Sequence, residues 1–328
     1  MARRRACRRA ALALKNRRAM MLKGALPAAM GERLRESRRS FWCMFLLHVC
    51  YGQAGAPAAE SLQAVLERAA KGDVKAECAL GGMYRDGQGV PQDYAEAVRW
   101  FRKAAEQGYA EAENGLGFLY DNGQGVPADH VVAARWYRRA ANQGNPDAAF
   151  NLGSLYDSGQ GVTLDHAEAA RWYRKAAEGG DADAAFDLGV MYEEGQGVAR
   201  DYTEAARWYR KAAEQGIPIA QTALATLYTD GRGAPQDLAE AVRWYRKAAE
   251  RGFAPAMHEL GAAYAEGHGV PRDYVAAHLW MDLAASRARG PLREKYTAER
   301  DALARKMTPE QVGEARRQAL AEKTKWVR

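Results

Sequence analysis

The sequence predicts an all-α protein: a right-handed α-solenoid superhelix of six 36-residue helix-turn-helix repeats with capping helices. Three observations lead there. Gly72, Gly108, Gly144, Gly180, Gly216 and Gly252 mark units of 36 residues without insertion, and self-similarity at such a period is the mark of a stacked repeat array. Within each unit the apolar residues fall at helical spacing. Helices of about 12 residues are also too short to be stable alone in water, so the units must stack to survive.

With that glycine as position 0, position 4 is always Ala, position 8 always Leu (Leu80 onward) and position 12 always Tyr (Tyr84 onward). Their i, i+4, i+8 spacing puts them on one helical face. The spacing predicts a helix A over Val74 to Arg85 in the first unit. Positions 25, 28 and 32, here Ala97, Trp100 and Ala104, predict a helix B over Tyr94 to Glu106. Trp100, Trp136, Trp172, Trp208, Trp244 and Trp280 are expected to supply the bulk between helices, while frequent Gly at position 9 lets backbones approach. Gly87 and Gly89 end helix A and turn the chain, Pro91 prevents its continuation, and Asp93 caps helix B. Glu96 follows at capping-box spacing, as do Glu168, Glu204 and Glu240 after Asp165, Asp201 and Asp237.

The domain organisation follows. Residues 1–58 form a basic leader, 59–71 an N-terminal capping helix and 288–328 C-terminal capping helices. The repeats fill 72–287, as 72–107, 108–143, 144–179, 180–215, 216–251 and 252–287. In the sixth unit Leu279, Met281 and Leu283 replace the usual basic and aromatic pattern, which predicts packing against tail helices near Leu292–Lys306 and Pro309–Lys323. Thr308 and Gln311, around Pro309, make a capping box for the last one.

The net charge of +7 is unevenly placed. Residues 1–40 hold 13 Lys and Arg against Glu32 and Glu36, so the rest of the chain is net acidic. That distribution argues against a nucleic-acid binder, whose positive charge lies on the folded body. In the leader, basic residues precede the apolar run Phe41–Gly52 and a small-residue stretch, the three-part form of a secretory signal. Met30 as start would give it ordinary proportions. The run is too short to span a bilayer. Periplasmic or secreted localisation is expected; the alternative is a cytoplasmic protein with a basic N-terminal arm. Cys7, Cys43 and Cys50 lie in this leader, leaving Cys78 alone in the repeats and no internal disulfide.

The repeating motif, nearly whole from Ala76 to Gly108, resembles the Sel-1-like repeat family, a relative of the tetratricopeptide repeat with many exported bacterial members. The resemblance implies a curved groove that holds a protein or peptide partner, with possible association with envelope complexes, and no chemistry. One branch of the family, with cysteine-paired repeats, is linked to binding or hydrolysis of β-lactams and cell-wall fragments, and it supplies the alternative reading. The missing paired cysteines argue against it.

The residues themselves agree. No catalytic motif, phosphate loop or metal-ligand spacing occurs, so neither enzyme activity, metal nor cofactor is expected. His130 and His166 share position 22 without forming a ligand cluster. Fifteen Lys and Arg at positions 27, 30 and 31 of the first five units read as a solvated face compensated by nearby carboxylates. The candidate partner surface is the variable stripe of helix A at positions 3, 7, 10 and 14. It includes Asn151, Ser154 and Ser158, then Asp187, Val190 and Glu194, then Asp230. Beside it lie Phe150 and Phe186, which either grip a partner or pack between neighbouring helices.

Overall fold

In the computed structural model, which describes residues 61–325, fifteen α-helices follow one another with no strand among the described residues. The leader, its signal and its start site lie outside those residues. The described residues fall into two compact units that divide between Asp93 and Tyr94.

In the first, Ser61 caps α1 (Leu62–Ala70) and Asp73 caps α2 (Val74–Asp86), the helix A of repeat one. The two pack together, burying Val65, Ala69, Ala76 and Leu80. Helix α2 ends on Gly87 in the left-handed conformation, and the Asp93 N–H donates to the Tyr84 carbonyl at 2.9 Å.

The second unit opens with α3 (Tyr94–Glu106), the first helix B. Four repeats of helix A and helix B follow: α4 (Ala110–Asn122) and α5 (His130–Asn142); α6 (Pro146–Ser158) and α7 (His166–Glu178); α8 (Ala182–Glu194) and α9 (Tyr202–Glu214); α10 (Pro218–Asp230) and α11 (Leu238–Glu250). Repeat six is α12 (Ala254–Glu266) and α13 (Tyr274–Arg287). Within this unit each helix A packs against its own helix B and against the helix B before it, and one apolar cluster runs from α5 to the end of the stack. The tail helices α14 (Gly290–Ala304) and α15 (Pro309–Lys325) both cover α13. Thr308 and Gln311 form the full reciprocal box at the start of α15.

Two local expectations are corrected. The bulk facing helix A is the aromatic residue at position 29, not the tryptophan at 28. Phe101, Tyr137, Tyr173, Tyr209 and Tyr245 are all buried, whereas Trp100, Trp136, Trp172 and Trp280 are half-buried and only Trp208 and Trp244 are buried. The glycine at position 9 lies against that ring in repeats two to four. A Cβ at Gly117, Gly153 or Gly189 would lie 2.8, 2.8 or 2.5 Å from the ring of Tyr137, Tyr173 or Tyr209. In these three repeats the ring thus lies on bare backbone where a Cβ would press on it, whereas repeat five buries Tyr245 beside Ala225.

The capping box at helix B is also only half made. Asp129, Asp165, Asp201, Asp237 and Asp273 do accept from first-turn N–H groups. Their own N–H groups donate instead to the position-12 tyrosine carbonyls, as Asp165 does to Tyr156 at 3.0 Å. The glutamates are therefore released from the box. Glu168, Glu204 and Glu240 pair with Arg171, Arg207 and Arg243 at 2.5, 3.2 and 2.8 Å.

The two loop glycines have different tasks. Gly195, with φ of 75°, is the left-handed cap that ends α8. Gly197, with φ of 68°, backs onto the preceding repeat: a Cβ there would stand 2.2 Å from the His166 carbonyl oxygen. Gly125, Gly161, Gly233 and Gly269 approach the first residue of the helix B before them in the same way.

Candidate functional site: the helix A face

The candidate stripe sits on helices whose positions are set by a second repeating contact. The arginine at position 30 of one repeat donates to the phenol oxygen of the position-12 tyrosine in the next. Arg102 reaches Tyr120 at 2.9 Å, Arg138 reaches Tyr156 at 2.5 Å and Arg246 reaches Tyr264 at 2.7 Å; Arg174 and Arg210 hold Tyr192 and Tyr228 alike. Most of the remaining cations are also engaged. Arg99, Arg171, Arg207 and Arg243 meet the released glutamates, while Arg135 has Val132 in that place. Lys103, Arg139, Lys175, Lys211 and Lys247 lie over the tryptophan rings of their own helices at 4.0–5.3 Å.

The stripe itself is a mixture. Asn151 donates to Asn114 of the previous helix A at 3.2 Å, tying α6 to α4. The Ser158 hydroxyl donates to the Ser154 carbonyl at 2.8 Å. Asn151, Ser154, Asp187, Val190 and Asp230 are half-buried and Glu194 is exposed. Asp230 pairs with Arg232 at 3.4 Å. Phe150 is 6% exposed, its ring centroid 5.4 Å from that of Tyr173. Phe186 is half-buried, 5.6 Å from Tyr209. Both rings thus pack on the aromatic residue of their own helix B. Phe150 lies in the core beneath the face, and Phe186 retains an accessible part.

Position 3 adds a feature that the sequence reading passed over. Glu111, Asp147 and Asp183 occupy it in repeats two, three and four. The Asp147 carboxyl is pushed up to about 6, by burial first and then by the negative charges of Asp181 and Glu111. Stacking brings Glu111 of repeat two and Asp181 of repeat four near enough to Asp147 to repel it. A 36-residue spacing of acids was the available signal.

The two histidines at position 22 also find partners. His130 Nδ1 lies 2.7 Å from Asp121 and His166 Nδ1 lies 2.9 Å from Asp157. Both aspartates are at position 13, and Asp stands there only in the two repeats with His at 22. That covariation between repeats was legible. Among the described residues, no three His, Cys, Asp or Glu side chains are grouped to hold a metal ion. No helix there is long and apolar enough to cross a membrane.

The Sel1 repeat model matches the chain six times, at residues 74–109, 110–145, 146–181, 182–217, 218–253 and 254–288. The crystal structure of c5321, described as a protective antigen present in uropathogenic Escherichia coli strains displaying an SLR fold, aligns with a TM-score of 0.71 and 37% identity. That alignment covers 80% of this chain and 56% of c5321, so the chain spans little more than half its length. A Sel1 repeat protein from Oxalobacter formigenes aligns with a TM-score of 0.60 and 37% identity, over 69% of this chain and 94% of its own. No curated protein matches the chain.

Proposed function

Because the chain belongs to the Sel1 repeat family, we propose that it is a protein-interaction scaffold that holds a protein or peptide partner on the helix A face, without chemistry of its own. The observation that carries this reading is the register of that face. Asn151, Asp187 and the alternating carboxylates are presented at equivalent positions on helices pinned by core tyrosines and by the Arg–Tyr contacts. A face held this rigidly loses little conformational freedom on binding, so more of the contact energy appears as affinity. Its carboxylates favour a partner segment that carries Lys or Arg.

The reading includes export to the periplasm or beyond, on the strength of the leader's basic, apolar and small-residue segments. N-terminal sequencing of the mature protein tests this: a chain that begins near residue 59 supports export, and an intact leader in the cytosol refutes it. Binding or hydrolysis of cell-wall fragments is not favoured, since the branch that does so is marked by paired cysteines and the repeats here hold Cys78 alone.

The test of the surface is a double charge reversal, Asp187→Arg with Glu194→Arg, followed by affinity capture from the envelope fraction. The variant should keep its helicity and unfolding midpoint but lose the proteins that the parent retains. Equal capture by both would discard this face. Phe150→Ser is unsuitable because it opens the core.

A further inference from the structure

Position 26 of helix B faces the core in every repeat. It is Val98, Ala134, Ala170, Ala206 and Val242 in the first five, all buried, and His278 in the sixth. His278 is 1% exposed, and neither ring nitrogen has a hydrogen-bond partner among the described residues. What hides it is the C-terminal cap, since α14 and α15 pack on α13 where a next repeat would otherwise stack.

The charges around the imidazole are already committed. Asp282, one turn along α13, accepts from Arg300 of α14 at 2.7 Å and from Lys323 of α15 at 2.6 Å. Arg300 also holds Asp301 on its own helix. Asp282 and Asp301 favour a charged imidazole, and Arg300 and Arg316 oppose it. A proton on His278 therefore gains no acceptor while the cap is closed, but it is fully hydrated once α14 and α15 move away.

We propose that His278 makes the docked C-terminal cap acid-labile: protonation of this imidazole releases α14 and α15 from α13 and uncovers the apolar end of the repeat stack. The direction of the shift agrees. Burial first, reinforced by the two arginines, holds the closed-state His278 below its ordinary value of 6.5. The open state then binds the proton better, so docking is fully stable above about 6.5 and weakens as pH falls below it. With one proton linked, the weakening is at most about tenfold per pH unit. His258 of α12, whose Nε2 lies 2.6 Å from Glu299 of α14, is raised to about 9 while the cap is docked. It loses Glu299 when the cap opens, so its contribution has the opposite sign, grows as pH falls towards 6.5 and is nearly constant below that.

The test is amide hydrogen exchange on the full chain at pH 6.5 and 5.0, a window in which the His258 contribution is nearly constant, with rates corrected for intrinsic exchange. In the parent, protection in α14 and α15 should fall between the two conditions by up to about tenfold for each pH unit below 6.5, while α8 and α9 keep theirs. In His278→Val, which copies repeats one and five, cap protection should not fall. Constant cap protection in the parent, or the same loss in the variant, overturns the proposal. If His278→Val does not fold, His278→Ala, copying repeats two to four, is read identically. A ring-proton titration of His278 by NMR decides independently: titration at or above 6.5 with the cap docked also overturns it.

Discussion

Replacing Gly197 by alanine should separate two repeats, and the neighbouring Gly195 is the control. Both glycines sit in the left-handed region, with φ of 68° and 75°, where a Cβ costs about 1–2 kcal/mol. At Gly195 the new Cβ meets the Arg200 Cβ at 3.2 Å, a contact relieved by a small shift. At Gly197 it would meet the His166 carbonyl oxygen at 2.2 Å, its carbon at 2.3 Å and the Ala167 nitrogen at 2.7 Å. Those atoms are backbone of the preceding repeat and cannot rotate aside. Overpacking of this kind adds roughly 1–3 kcal/mol. Gly195→Ala should therefore cost about 1–2 kcal/mol, and Gly197→Ala roughly 2–5 kcal/mol. A solenoid is held by nearest-neighbour interfaces, so damage at one interface should also split the cooperative transition. Urea unfolding followed by circular dichroism reads both effects. Gly195→Ala should shift the midpoint with the slope kept, whereas Gly197→Ala should give a shallower or two-step curve. Equal shifts with equal slopes would show that the second glycine serves only the turn and not the repeat interface.

Three further outcomes are expected. Tyr137→Ala should cost about 3–5 kcal/mol in chemical denaturation, as a buried aromatic does, and clearly more than Trp136→Ala on the half-exposed side. Removing the Asp201 side chain with alanine should lower stability by about 1 kcal/mol, since it caps α9 through Thr203 and Glu204 N–H groups, and thermal melts will read the difference. His258 gives an alkaline counterpart to His278. Burial opposes its charge, but the hydrogen bonds it donates to Glu259 and Glu299 prevail and raise it to about 9. Its stabilising contribution is complete below 6.5 and disappears as pH rises through 9, so unfolding midpoints measured from pH 6 to 10 should fall more in the parent than in Glu299→Gln.

Much of this molecule could be read without coordinates because a repeat states its rules six times. The 36-residue period, the Ala–Leu–Tyr face, the left-handed glycine caps and the aspartate N-caps are local consequences of backbone geometry, and each appears where the spacing put it. The helix B bounds of Tyr94 to Glu106 are likewise those observed. What the period could not express is which neighbour a residue meets. Positions 28 and 29 are adjacent and both aromatic, and only the packing of the helix pair shows that the ring at 29 is buried in all of the first five repeats while the one at 28 is buried in two. The glutamate of the expected capping box was drawn to an arginine because its intended donor had already gone to a tyrosine carbonyl. Of the two roles open to Phe150 the structure shows packing between helices beneath the face, while Asn151 beside it links two repeats. His278 is an unremarkable letter in the sequence and becomes a solitary polar group only when two tail helices close over it. Short-range sterics and hydrogen bonding, repeated in tandem, were enough to determine the helices and their order. Contacts between residues 18, 36 or more positions apart depend on how those helices stack, and stacking is where burial, charge pairing and the shape of the candidate face were settled.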